Sequence, residues 1–205
     1  MDWTIFRWLN DLLLGHDLIG DEVADFSTWS PVLAAVAALG LWLAGRPGTM
    51  SRWKVACASA LTSAAVALLA NQAIATFWSR ARPTDAHPGQ AHLYFVSPSA
   101  DPSFPSDHAA AAFAIAAAVL MVSRRAGAWF LLGAAAIGFS RILVGLHYPG
   151  DVLAGGAVGL AAALVVHRVA RRPLAVLVRL VSRLTDPLLR PVWRAAEARI
   201  TARRT

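Results

Sequence analysis

Two short runs of the sequence concentrate residue types that carry chemistry: Pro105-Ser106-Asp107-His108, and Ser140-Arg141 followed by His147 and Asp151 in the spacing Ser140-Arg141-x5-His147-x3-Asp151. An imidazole and a carboxylate four residues apart, near the start of a helix, can face each other so that Asp151 accepts the Nδ1 proton of His147. Nε2 is then unprotonated and aimed outward, the arrangement of an oriented nucleophile. A His–Asp pair with nothing around it is more often structural, so the neighbours decide.

Those neighbours are cationic. Arg80-Ala81-Arg82-Pro83 puts two guanidinium forks one residue apart, and such forks match phosphate oxygens. Arg141 lies inside an apolar stretch, where a charged residue is a functional hypothesis unless it snorkels to the interface. Pro105-Ser106-Asp107-His108 immediately precedes another apolar stretch. The N–H groups of that helix's first turn would therefore point at the site, and helix starts bind anions. His108 adds a second imidazole, suited to protonating a leaving oxygen. Headgroup or surface contacts account for the arginines alone, but not for the whole set. Together the residues describe phosphoryl transfer without a metal. His147 is the nucleophile, His108 the acid, and Arg82, Arg141 and Arg80 hold the equatorial oxygens.

The elements that must position these residues are membrane helices. Of 205 residues, 57% are apolar and 15% charged, against roughly 45–50% and about 25% in soluble proteins. A span needs about 20 apolar residues. Phe26 to Gly45 and Val55 to Ser79 supply uncharged runs of that length or more. Ala109 to Ser123, Gly127 to Leu146 with Arg141 inside it, and Val152 to Val166 are shorter or interrupted, and each by itself also fits a buried soluble helix. The single Cys57 excludes a disulfide scaffold and a thiolate zinc site.

The formal charge of +7 invites a nucleic-acid reading, and its distribution argues against one. Ten of the 12 acidic residues precede Val152, whereas ten of the 19 basic residues lie from Arg168 onward. If the segment before Phe26 is outside, 15 of the 19 basic residues fall in inside loops or the tail, as the positive-inside rule requires of five spans. Trp29, Trp42, Trp53, Trp78 and Trp129 stand near span ends, as interfacial anchors do. Ile5, Phe6, Leu9, Leu12 and Leu13 recur at helical spacing and predict an amphipathic N-terminal helix without signal-peptide features. Pro173 to Ile200 alternates apolar residues with Arg179, Arg183, Arg190 and Arg194, a pattern suited to an anionic leaflet, although a solvated tail has the same composition. Gly155 and Gly159 form a small-xxx-small pair that marks close helix packing. The expected architecture is all-α: a polytopic membrane helical bundle of about five transmembrane helices. An interfacial amphipathic helix occupies 1–25, a transmembrane core 26–170 and a basic cytoplasmic tail 171–205.

The two motifs, with Arg82-Pro83, resemble the signatures of the type-2 phosphatidic acid phosphatase superfamily. Ser103-Phe104-Pro105-Ser106-Asp107-His108, Gly138-Phe139-Ser140-Arg141 and the basic tail are similar to its bacitracin-resistance type of undecaprenyl pyrophosphate phosphatase. The resemblance runs from about Phe26 to Trp193. It implies that His147 forms a phosphohistidine, that Asp151 orients it, that His108 is the general acid, and that Arg82, Ser106 and Arg141 hold phosphate. The general motif has Lys where this chain has Ala75, a contact that Arg80 partly replaces.

The expected function is therefore metal-independent, cofactor-free hydrolysis of undecaprenyl or another polyprenyl pyrophosphate, with bacitracin resistance as a consequence. The site would face outward from the cytoplasmic membrane, with the C-terminus inside, no nucleic-acid partner and no oligomeric state specified. Alternatives are another lipid phosphate such as phosphatidylglycerol phosphate or phosphatidic acid, a vanadate haloperoxidase, a non-catalytic anionic-lipid binder or transporter, and a metal hydrolase using His108, His147 and Asp151. Asp107 has two open roles, capping the third span or tuning His108. His16, His87, His92 and His167 read as loop or interface residues, and the loop from Thr84 to Pro102, with Pro88, Gly89 and Pro98, as the substrate entry.

Overall fold

The computed structural model describes residues 1–48, 51–94 and 101–202, without the side chains of 17, 196, 197 and 199–202. Pro98 of the expected entry loop and Arg204 of the basic tail lie outside the described residues, as does the side chain of Ile200. The elements are helical: α1 (Asp2–Asn10), a short 3-10 turn (Asp11–Leu13), α2 (Asp17–Ala44), α3 (Arg52–Phe77), α4 (Pro83–Ala86), α5 (Asp107–Leu120), α6 (Arg124–Leu143), α7 (Pro149–Val169) and α8 (Arg171–Ala202).

Among the described residues, four segments are long and apolar enough to cross a bilayer: Leu18–Ala44, Arg52–Phe77, Arg124–Leu143 and Pro149–Val169. The first begins before the expected Phe26. Asp21, Glu22 and Asp25 do not interrupt the helix, because all three are exposed in its N-terminal part, ahead of the uncharged run. Ser51 and Ser123 start α3 and α6 by accepting backbone N–H groups from Trp53 and Ala126. Pro149 sits in the first turn of α7, where its missing N–H costs nothing. Large apolar side chains face outward on these helices, including Leu69, Trp129 and Leu153, as a lipid solvent permits.

The third expected span, Ala109 to Ser123, differs in kind. α5 has 14 residues, about 21 Å of helix against roughly 30 Å of hydrocarbon. It forms the axis of the bundle, packed on α3, α6 and α7. Its alanines do more than fill a helix: Ala109, Ala110, Ala112, Ala114, Ala116, Ala117 and Ala118 are all buried and let three neighbours approach closely. Gly155 and Gly159 of α7 complete that approach. A Cβ on either would lie 2.3 Å from a carbonyl oxygen, of Ser106 and Ala110 respectively.

Both end helices are tied to the bundle. On α1, Phe6 is fully buried and its ring lies 5.6 Å from that of Tyr148. Asn10 donates to the carbonyls of His92 and Leu143 and accepts the His92 N–H. Ile5, Trp8 and Leu12 remain exposed on the opposite side. On α8, Asp186 pairs with the buried Lys54 of α3 and accepts the Gly48 N–H. Trp42 donates to Thr185 and Trp193 to the Leu43 carbonyl, so Trp42 is a helix-docking residue rather than a simple interface anchor. Leu184, Leu188 and Val192 stay exposed along α8.

Candidate active site

The end of α6 and the turn after it, the start of α5, α2 at Thr28 and the segments carrying Arg82 and Asp101 enclose a cavity of about 300 Å³. Arg82, His108, Arg141 and His147 line it together with Thr28 and Asp101. Two motifs separated by dozens of residues therefore converge.

The turn between α6 and α7 requires a glycine. Gly145 has φ +91°, and a Cβ there would stand 2.2 Å from the His92 carbonyl oxygen. The turn delivers His147, which is 3% exposed, to the cavity wall. His147 Nδ1 lies 2.8 Å from the Ser103 carbonyl oxygen. A carbonyl only accepts, so Nδ1 must carry the proton and Nε2 the lone pair. Burial, followed by the charges of Arg141 and Arg82, holds His147 well below the ordinary histidine value and keeps it neutral.

The direct bond to Asp151 suggested by the i, i+4 spacing is not made. The closest approach, from Nδ1 to Asp151 Oδ2, is 4.0 Å. The fully buried Asp151 instead accepts from Ser103 Oγ at 2.6 Å, from the Tyr148 N–H at 2.9 Å and from Arg80 Nη1 at 2.7 Å. Orientation reaches His147 through Ser103, whose hydroxyl binds Asp151 and whose carbonyl binds the imidazole. Ser103 went unassigned in the sequence because its decisive atom is a backbone oxygen. The available signal was its place at the head of the run from Ser103 to His108.

The arginines separate into two groups. Arg82 is buried, and it donates from Nε to the Asp101 carbonyl and from Nη1 to the Leu146 carbonyl, both at 3.0 Å, which fixes its fork beside His147. Burial pulls Arg82 below the ordinary arginine value, opposed by Asp101, Asp85, Asp151 and Asp107. Its charge persists, since arginine ionises far above neutrality. Arg141 donates from Nη1 to Ser27 Oγ at 3.0 Å. Pro31, one turn further along α2, has no N–H for the Ser27 carbonyl, which accepts instead from Ser30 Oγ at 2.8 Å. α2 thus anchors the intramembrane arginine, a link that sequence spacing did not reveal.

Arg80, expected beside Arg82 at the phosphate, sits elsewhere. Its Nη1 bridges Asp2 at 2.8 Å and Asp151 at 2.7 Å, and its guanidinium lies 3.7 Å from the Tyr148 ring centroid. Burial works against its charge, but Asp2 and Asp151 outweigh it and raise Arg80 above the ordinary value. Two carboxylates hold Arg80 on the far side of Asp151, so it does not take the place of a lysine at Ala75. Ser106 is fully buried and caps α5 by accepting the Ala109 N–H at 3.5 Å. Its own N–H donates to the Asp151 carbonyl, tying the two motifs together. Asp107 accepts from Asn71 at 2.8 Å and Gln72 at 3.4 Å, which makes it a tether to α3. His87 stacks on Trp3. Among the described residues, no three His, Cys, Asp or Glu side chains gather as a metal site. The donors on Asp151 occupy both of its oxygens.

A profile of the PAP2 superfamily matches residues 56–174, a range containing Arg82, His108, Arg141, His147 and Asp151. The undecaprenyl-diphosphatase BcrC of Bacillus subtilis (strain 168) is 37% identical over 154 residues, 75% of this chain and 76% of that protein. The bacitracin transport permease protein BcrC of Bacillus licheniformis is 30% identical over 161 residues, 78% and 76% of the two chains. The crystal structure of Aquifex aeolicus LpxE superposes with a TM-score of 0.65, covering 80% of this chain and 93% of that one at 23% identity, a likeness of fold. The helical membrane bundle, the converged histidines and arginines, and the extent of these matches have one reading: the chain belongs to the PAP2 superfamily.

Proposed function

We propose that the protein hydrolyses undecaprenyl or a related polyprenyl pyrophosphate to the monophosphate and inorganic phosphate, through a phosphohistidine and without a metal. The observation that carries the reading is the state of His147. Its Nδ1 proton is committed to the Ser103 carbonyl, and it lines one cavity with Arg82, Arg141 and His108. The identity to the Bacillus subtilis undecaprenyl-diphosphatase supports the choice of substrate.

In the first step Nε2 of His147 attacks the terminal phosphorus. A P–N bond forms while the bond to the bridging oxygen breaks, and that oxygen leaves with a proton from His108. Arg82, Arg141 and the N–H groups at the start of α5 stabilise the equatorial oxygens. The negative phosphate also favours the protonated form of His108 when it binds. In the second step His108 takes a proton from water as the oxygen attacks phosphorus. The P–N bond then breaks and phosphate leaves.

The 15 basic residues on one side of the expected topology support an outward-facing site in the cytoplasmic membrane with the C-terminus inside. The exposed apolar line of Leu184, Leu188 and Val192 supports α8 lying against the inner leaflet. Overproduction in a bacterial host is expected to raise tolerance to bacitracin.

The decisive assay is phosphate release by the purified protein from undecaprenyl pyrophosphate in excess chelator. His147→Ala should retain substrate binding and lose turnover. The wild type should accumulate a phosphate label that survives alkali and is lost in acid. Failure to release phosphate, or strict dependence on added metal, would refute the reading.

A further inference from the structure

Asp2 lies on α1, well over a hundred residues before His147 in sequence, yet it ends a chain of polar contacts that begins at that imidazole. His147 Nδ1 meets the Ser103 carbonyl at 2.8 Å, and Ser103 Oγ meets Asp151 Oδ2 at 2.6 Å. Asp151 Oδ1 meets Arg80 Nη1 at 2.7 Å, and the same nitrogen meets Asp2 Oδ2 at 2.8 Å. The other oxygen of Asp2 accepts the Gly150 N–H at 2.9 Å, in the first turn of α7 and next to Asp151. A Cβ on Gly150 would stand 2.9 Å from Asp2 Oδ2, so residue 150 leaves room for this carboxylate. α1 is held over the same turn by Phe6 on Tyr148, and against the end of α4 by Trp3 on His87.

We infer that α1 belongs to the catalytic apparatus, with Asp2 as a positioning residue that acts through Arg80 and Gly150 on Asp151 and so on His147. Two effects follow from the geometry. Arg80 is shared between two carboxylates, so it neutralises Asp151 only in part, and negative charge remains behind the imidazole as it becomes cationic in the transition state. The Gly150 bond also fixes the first turn of α7, from which Asp151 projects. Small displacements of groups behind a reacting atom cost large factors in rate.

The inference rests on the phosphatase reading above, and its test separates the two. Asp2→Asn keeps the shape and removes the charge. It is expected to lower kcat about tenfold, the scale on which supporting residues act, with KM within about twofold of wild type. Asp2→Glu should recover part of the loss. In a cycle with Arg80→Gln, the double variant should be no slower than Arg80→Gln alone, because Asp2 acts through that arginine. Wild-type kcat in Asp2→Asn, or losses that multiply in the double variant, would overturn the inference. If the wild type releases no phosphate from any lipid phosphate, the phosphatase reading fails and binding of orthovanadate, a phosphoryl-transfer mimic, decides. Affinity about tenfold weaker in Asp2→Asn supports the positioning role, and unchanged affinity overturns it.

Discussion

Gly155→Ala adds one methyl group at the place where α7 touches the start of α5. The new Cβ would lie 2.3 Å from the Ser106 carbonyl oxygen, whereas ordinary contact begins at 3.4 Å, so the helices must part by about 1.1 Å. The obstacle is backbone and cannot rotate away. Ser106 caps the helix whose first turn carries His108, and its N–H binds the Asp151 carbonyl. The displacement therefore separates the proposed acid from the proposed nucleophile. Misplacement by about 1 Å costs on the order of 100-fold in rate, and overpacking costs about 1–3 kcal/mol in stability. Phosphate release and thermal unfolding in one detergent would be measured beside two controls. Gly159→Ala meets the Ala110 carbonyl at the same 2.3 Å, one turn deeper, and should lower Tm more than it lowers kcat. Gly133→Ala, with nothing within 4 Å, should resemble wild type in both. Retention of wild-type kcat within twofold by Gly155→Ala would refute the claim that this contact sets the distance between the two histidines.

Lys54→Met leaves Asp186 buried without its cation, a loss of about 3–5 kcal/mol for a buried pair. Lys54→Met with Asp186→Leu should recover most of that loss, as read by Tm and by proteolysis of α8. His147 is held below its ordinary value of 6.5 in the folded protein, so the unfolded chain takes up a proton first as pH falls. The stability it contributes is complete above about pH 6.5 and declines below it, by at most about 1.4 kcal/mol per pH unit for one proton. Tm measured from pH 7.5 to 5 should fall more steeply in wild type than in His147→Gln.

Much of the site was legible because its reactive residues fall in two compact runs. Ser140-Arg141-x5-His147-x3-Asp151 marked His147 as the candidate nucleophile, and His108 and Arg82 line the same cavity. The partners of those residues were not legible. A spacing of four suggested that Asp151 touches His147, but the turn at Gly145 and the start of α7 point Nδ1 at a backbone carbonyl instead. Arg80 and Arg82 look equivalent in sequence, and the positions of Asp2 and Asp151 separate their roles. The third apolar stretch looked like a shortened span because hydropathy does not show that α5 is surrounded by protein.

The sequence by itself determined that this is a basic-tailed helical membrane protein whose candidate-site histidines and arginines fall in short runs, a spacing that suggests a phosphate site. Charge sidedness, apolar run length and motif spacing are all properties of the linear chain. The tertiary structure decided which donor meets which acceptor: Ser103 between Asp151 and His147, Ser27 on Arg141, Asp2 on Arg80, and Ser106 against Gly155. Those choices depend on contacts between residues distant in sequence and often on backbone atoms, which every residue possesses and no side-chain pattern distinguishes.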